Sequence, residues 1–311
     1  MAEPKGFAPW NPRGKKMAAL SGVLEVIKAG RDDWPLSQRY WLYRLMGTKG
    51  WEKFDEYSAK DYRKKTGKNP PREPYNLNYI LNRARRAHMI PWEAVSCSRG
   101  LVKDPSTSDS PETLANWLRE IAEQEQFDRQ AGQDRQVVLW LEAEGLVETM
   151  ARTVHEYGAT LLAGQGFDVV GRKHAFAKRV ADCGHVLVLH AGDLDKSGHT
   201  VKTALMEDLD AFIRDMGGQA EFKRILLTEE QVHEYGLAYT VATKGLNAGN
   251  HGKGFTSAVE CQLEAMDIAD IRAIVKREFE AALDMDLFNK QVAAEDEKRR
   301  EAFDLLLKGA A

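Results

Sequence analysis

Apolar positions follow two rhythms along this chain, and the change of rhythm divides it. In the first hundred residues they recur every three or four positions. Leu20, Val23, Leu24 and Ile27 line one face of a helix over 17–29, which Gly30 stops. Pro35-Leu36-Ser37 opens a second helix with Ser37 as its N-cap, running to Leu45 and ended by Gly47. A third helix over 75–88 carries Arg83, Arg85 and Arg86 near its end. Residues 1–16 read as a loose arm, and 48–74 as an exposed charged loop or partly helical insertion. Beyond the Pro/Ser/Asp-rich stretch 101–111 a helix spans 112–126, and the rhythm then changes. Short continuous apolar runs now alternate with helical ones: strand 136–141, helix 143–156, strand 159–163, helix 172–182, strand 186–190, helix 197–216, strand 222–227 and a short helix over 229–235. That alternation predicts an α/β class with a parallel sheet and crossover helices. Residues 236–256 read as a loop, and helices over 262–283 and 286–308 follow.

The division predicts two domains, a helical one over 1–104 and an α/β one with C-terminal helices over 112–311; 311 residues are ample for both. Charge divides at the same place. Residues 1–100 hold 20 Lys and Arg against 10 Asp and Glu, a net +10, whereas the remainder holds 24 against 37, a net −13. A basic first third on an acidic remainder fits a nucleic-acid grip joined to a carboxylate-bearing domain, against the plainer reading of uneven surface charge. No apolar run reaches the ~20 residues of a membrane span. Met1-Ala2-Glu3-Pro4-Lys5 lacks the apolar core of a secretory signal, and Cys97, Cys183 and Cys261 are far apart, so a reducing, cytoplasmic setting is expected.

Two apolar runs end in acids. Val137 to Leu141 leads into Glu142, and Val186 to Leu189 leads through His190-Ala191-Gly192 into Asp193-Leu194-Asp195, with Ser197-Gly198 opening the next helix. Parallel strands ending so place both acids at the carboxyl edge of the sheet, where open α/β folds keep their sites. Asp-x-Asp is there a hard-oxygen set suited to Mg²⁺, although acids ahead of a helix are favoured as capping charges too. Glu144 is an alternative to Glu142, and His190 and His199 flank the acids as supporting or incidental residues. Gly249-Asn250-His251-Gly252-Lys253-Gly254-Phe255 lacks the Ser or Thr that completes a P-loop, which argues against an ATPase here. Arg83, Arg85, Arg86, Lys64, Lys65 and Lys68 are the candidate DNA-backbone contacts, while Tyr75, Tyr79 and Trp92 are expected in the core.

Taken in order, these residues resemble the A subunit of type IIB topoisomerase (topoisomerase VI), and above all the compact, phage- and plasmid-borne mini-A proteins, over most of residues 20–283. Leu36-Ser37-Gln38-Arg39-Tyr40-Trp41-Leu42-Tyr43-Arg44-Leu45 is similar to the family's Arg-x-x-Tyr-Tyr-x-Leu, with Leu42 in place of the first Tyr. Ala84-Arg85-Arg86-Ala87-His88-Met89-Ile90-Pro91-Trp92 resembles Ala-Arg-x-x-Gly-x-Ile-Pro-Trp, with His88 at the glycine. Gly192-Asp193-Leu194-Asp195-Lys196-Ser197-Gly198 resembles Gly-Asp-x-Asp-Pro-Ser-Gly, and Leu141-Glu142-Ala143-Glu144-Gly145-Leu146 resembles Val-Glu-Lys-x-x-Leu. The resemblance implies a winged-helix-like DNA-binding domain followed by a Toprim domain, a Rossmann-like parallel sheet. It further implies Tyr43 as nucleophile, Glu142, Asp193 and Asp195 as Mg²⁺ ligands with Glu142 also catalytic, and double-stranded DNA as substrate. The expected assembly is a homodimer in which the Tyr of one subunit works with the metal of the other, with any ATPase on a separate subunit.

A phenol of pKa near 10 is a poor nucleophile, so Tyr43 needs a cation. Arg39, one turn earlier on the same face, is the expected catalytic cation, and Arg44 is adjacent and also a candidate DNA contact. Tyr40 is the alternative nucleophile, and Tyr43 packed against Leu24 or Ile27 is the alternative role. A Toprim nuclease using metal-activated water, or a DNA-binding protein without catalysis, are the competing functions.

Overall fold

The structure, a computed structural model, describes residues 8–46, 77–96, 107–163, 170–181, 183–242 and 255–309. At its centre is a four-stranded, wholly parallel sheet in the order β2-β1-β3-β4: β1 (Gln136–Leu141), β2 (Leu161–Ala163), β3 (His185–Ala191) and β4 (Gln219–Leu226). The inner strands β1 and β3 are buried along almost their whole length, which explains why they are continuous apolar runs rather than alternating ones. Their side chains still alternate between the two faces of the sheet. Val137, Leu139, Leu141, Leu187 and Leu189 join one core, and Val138, Trp140, Val186 and Val188 the other.

Helices cover both faces. The second core is closed by α6 (Val170–Ala181) through Phe176, Ala177 and Val180, and by α7 (Lys196–Asp215) through Leu205, Leu209 and Ile213. The first is closed by α5 (Val147–His155) and α9 (Ile268–Ala282), and it continues without a break into the N-terminal helices. Those are α1 (Lys15–Ala29), α2 (Gln38–Leu45) and α3 (Leu77–Arg86). Ala19, Val23, Leu36, Tyr40, Trp41, Leu45, Ile80 and Ala84 therefore share one apolar interior with the sheet. Polar ties reinforce that seam. The Thr149 hydroxyl donates to the carbonyls of Asp33 (3.2 Å) and Pro35 (3.1 Å), and Arg272 pairs with Asp33.

The remaining helices are α4 (Pro111–Gln124), α8 (Glu229–Glu234) and α10 (Met285–Gly309). A two-stranded antiparallel pair, β5 (Thr240–Val241) with β6 (Val259–Glu260), stands apart from the main sheet. Among the described residues no helix is long and apolar enough to cross a membrane.

Local chemistry accounts for the N-terminal boundaries. Ser37 caps α2, its hydroxyl accepting from the Tyr40 amide at 3.0 Å. After α3, His88 adopts φ 54°, the left-handed conformation that glycine most readily takes after a helix, and it holds the position where the sequence resemblance has glycine. The expected helix over 262–283 is divided. A 3₁₀ turn, Leu263–Ala265, comes first, and α9 begins at Ile268 because the Asp267 side chain caps it, accepting from the Ala269 amide at 2.9 Å. Likewise the first turn of the helix expected over 143–156 is 3₁₀, Glu144–Leu146.

Candidate functional site

Adjacent strands in register bring the acids together. Leu141 at the end of β1 lies opposite Ala191 at the end of β3, so Glu142 and Gly192-Asp193 leave the sheet side by side. The Glu142 amide donates to the Ala191 carbonyl at 2.9 Å, and the Asp193 amide donates to Glu142 Oε2 at 3.0 Å. Gly192 has to be glycine for this turn to close, since a Cβ would collide with the Glu142 carboxylate. Below the turn, Arg224 of β4 donates to the carbonyls of Gly192 (3.0 Å), Asp193 (2.8 Å) and Leu227 (2.8 Å). Burial lowers the Arg224 pKa, and attraction to Glu142, Asp193 and Asp195 opposes the shift. His190, buried beside Trp140 with ring centroids 4.3 Å apart, places Nε2 3.5 Å from Glu142 Oε1.

A second layer comes from the segment after β6. Leu194 and Cys261 exchange backbone hydrogen bonds of 2.8 and 2.9 Å, so the chain runs back antiparallel along the Asp-x-Asp turn. The next residues reach the acids directly. The Leu263 amide donates to Asp193 Oδ1 at 2.8 Å, and Gln262 Nε2 donates to Asp195 Oδ2 at 3.3 Å. Burial, with Asp195 and Glu142 adding to it against the Leu263 amide and Arg39, pushes Asp193 up to about 6.

Helix α2 docks on this same segment. Arg39 Nη1 donates to Gln262 Oε1 at 2.8 Å, and its Nε lies 3.4 Å from Glu264 Oε2. Ser37 Oγ donates to Glu264 Oε1, and Gly145 makes room for that pair, because a Cβ there would strike both side chains. Burial raises the Glu264 carboxyl against the opposing influence of Ser37 and Arg39. Arg44 donates to the Ala265 carbonyl and pairs with Asp267 at 3.0 Å. Tyr43 therefore lies between two anchored arginines, half-buried against the first core. Its burial pushes the phenol up to about 12, with Cys261, Asp193 and Glu264 adding to the shift and Arg39 opposing it. Tyr40, the alternative nucleophile, is buried, and its hydroxyl accepts from the Ile268 amide at 3.4 Å.

The expected DNA contacts divide. Arg83 and Arg86 on α3 are exposed. Arg85 instead stacks over Trp92, 4.4 Å from its centroid, and donates to the Trp92 carbonyl at 2.8 Å. Trp92, expected in the core, is half-exposed beneath it, because the 3₁₀ turn Trp92–Ala94 turns it outward while Ala94 goes in. Lys64, Lys65 and Lys68 lie outside the described residues, as do Cys97 and 249–254 of the glycine-rich loop. Among the described residues, no group of three or more His, Cys, Asp or Glu side chains is arranged to hold a metal ion. No site role was read from the sequence for Gln262, Glu264 or Arg224. Arg224, a charge at the inward-alternating register beside Ala220 and Phe222 and just before the apolar end of β4, is the one local signal that could have drawn attention.

The architecture is thus a mixed α/β fold with a four-stranded parallel sheet, Rossmann-like in outline, with charged and polar groups of three chain segments gathered at the carboxyl edge. No protein-family model, curated protein sequence or solved structure matches the chain.

Proposed function

We propose that the chain is a Mg²⁺-dependent DNA-cleaving and rejoining enzyme of the winged-helix and Toprim type, with Tyr43 as nucleophile. The observation that carries the reading is the hydrogen-bonded path from Arg39 through Gln262 to Asp195, which ties the tyrosine helix to the acidic edge of the sheet. In the proposed step Tyr43 Oη bonds to the scissile phosphorus and the P–O3′ bond breaks. The phenolic proton ends on the 3′ oxygen, and the 5′ phosphate stays on the tyrosine; reversal rejoins the strand. Arg39, with an exposed side chain, is placed to meet the phosphate and to favour the phenolate.

The donor set suits a hard cation, being three carboxylates at one edge, two of which raise the pKa of the third. Among the described residues no group of three or more His, Cys, Asp or Glu side chains is arranged to hold a metal ion, so what supports a cation here is the chemistry of the donors alone. Glu142, Asp193 and Asp195 are the residues that would hold Mg²⁺, whose chemistry when bound is to offset charge on the phosphate and on the leaving oxygen. Arg83 and Arg86 supply sequence-independent phosphate contacts.

One observation favours a second reading. A phenol pushed up to about 12 is a poor attacking group, and metal-activated water acting on DNA would not need it. The deciding experiment incubates supercoiled plasmid with Mg²⁺, quenches in detergent, and compares wild type with Tyr43→Phe for protein bound to DNA ends. An adduct in wild type alone is the expected result. Equal cleavage by both proteins without an adduct would make this a nuclease, and no cleavage by either would leave a DNA-binding protein.

A further inference from the structure

We infer that α4 is a self-association surface: a second copy of this chain packs its own α4 antiparallel against the stripe Leu114, Trp117, Leu118 and Ile121. The pairing needs neither Tyr43 nor a metal, so it stands apart from the reaction proposed above. The sequence resemblance leads to the expectation of a dimer but gives residues 111–124 no part in it.

Helix α4 is well made and almost bare. Ser110 caps it, its hydroxyl accepting from the Thr113 amide at 3.1 Å, with Pro111 and Glu112 in the first turn where a helix start favours them. Yet every residue from Pro111 to Ile121 is exposed. Leu114, Trp117, Leu118 and Ile121, spaced i, i+3, i+4 and i+7, fall on one face, and each is between 41% and 52% exposed. None of the four belongs to either apolar core. A tie to the body lies just past the helix, where Arg299 donates to the Glu125 carbonyl at 3.0 Å. A helix this short has little stability of its own in water and draws it from packing of its apolar face.

Three features point to a second copy as the cover. The first is symmetry. The stripe is balanced about the midpoint between Trp117 and Leu118. A two-fold axis there sets Leu114 against the partner's Ile121 and Trp117 against the partner's Leu118, the self-complementarity that an isologous contact requires. The second is charge. Helical periodicity puts Glu112, Arg119 and Glu123 on the opposite face, and small or neutral Thr113, Ala115 and Ala122 beside the stripe. Glu120, nearer the border, comes opposite the partner's Thr113 and not its own copy, and the antiparallel sense sets the helix dipoles head to tail. The third is area. The four side chains leave on the order of 400 Å² open, the size of patch that marks an interaction site, and pairing hides it twice. About 800 Å² of apolar surface is half of a standard interface, and the rim around it supplies the remainder.

Sedimentation of the full chain tests this. Wild type is expected at a multiple of the monomer mass. Leu118→Glu is expected at half the wild-type mass with an unchanged circular-dichroism spectrum, and Asn116→Glu, on the opposite face, at the wild-type mass. A wild type that stays monomeric at the highest concentration reached, or a Leu118→Glu chain that keeps the wild-type mass, would overturn the pairing. A second measurement serves if Leu118→Glu fails to fold. Leu118→Cys and, separately, Asn116→Cys are made in a chain whose Cys97 and Cys183 are serine, and each is treated with a short bis-methanethiosulfonate crosslinker. Linkage at dimer mass is expected at position 118, which lies beside the axis, and not at 116. No linkage at 118, or equal linkage at both, refutes the pairing. DNA cleavage enters neither readout, so failure of the reaction proposed above leaves this result standing.

Discussion

Asp193 and Glu295 are both carboxylates drawn out of water, and the chain surrounds them in opposite ways. Glu295 on α10 is buried and receives two arginines: Arg129 grips it with both nitrogens, at 2.7 and 2.8 Å, and Arg299 adds a contact of 3.1 Å. The Arg129 hydrogen bond leads the causes that hold its pKa below the usual carboxylate range. Asp193 receives backbone and acids. Its partner is the Leu263 amide, its neighbours are Asp195 and Glu142, and its pKa is pushed up to about 6. Glu295 is held by cations of its own chain in direct contact, whereas around Asp193 the influence of Arg39 is outweighed by burial and neighbouring acids. On the proposed reading, a ligand supplies the positive charge that Asp193 lacks. Glu264 stands between the two cases, raised by burial yet paired with Arg39 and Ser37.

Substitutions at Asp193, at Glu295 and at Ser37, the partner of Glu264, break or sharpen that contrast. The largest effect is expected at Asp193→Asn. Cleavage should fall ~100-fold or more, as when a charge that acts on the reacting centre is lost, while thermal stability holds or rises. The sign follows from the shift. An acid whose folded pKa is raised costs stability once ionised, by about 3 kcal/mol here, present above pH 6 and gone below about pH 4. Melting curves of the two proteins at pH 7 and pH 4 check it, and an Asn variant less stable than wild type at pH 7 would contradict the charge argument.

Glu295→Ala should do the reverse, removing about 3 kcal/mol of stability by leaving Arg129 without its carboxylate partner and Arg299 with Asp296 alone, with cleavage per folded molecule unchanged. Because the folded pKa of Glu295 is lowered, its contribution is complete above about pH 4.3 and is lost as pH falls through the folded value. Urea titrations between pH 7 and pH 3 should show wild type losing this increment and Glu295→Gln lacking that part of the acid dependence. The smallest effect is expected at Ser37→Ala, about 1 kcal/mol, since the hydroxyl both caps α2 and serves Glu264. Ser37→Thr should recover part of it.

The sheet and the acids were legible because their signals are local. Continuous apolar runs named β1, β3 and the end of β4 within a few residues, and the acids that follow them had to fall at one edge once the strands were parallel. Ser37 announced the start of α2 by its place before a helical period. The role of the segment after β6 was not legible. Cys261, Gln262 and Leu263 act on partners 67 to 70 positions away, and Gln262 and Glu264 act on residues more than 220 away. Their own neighbourhood carries no signal of those distant partners, and the reading of 262–283 as one helix assigned them no site role. The exposed Trp92 failed for a related reason, since apolar character alone does not tell which side of a short turn faces the solvent.

The segment after β6 also sets a schedule for the molecule. Synthesis delivers helix α2 first, Glu142 about 100 residues later, Asp193 about 50 residues after that, and the residues that bond to both sides some 70 residues later still. A nascent chain ending before Gln262 lacks the groups that fix α2 to the carboxyl edge of the sheet, so that edge takes its final form only once translation has passed this point.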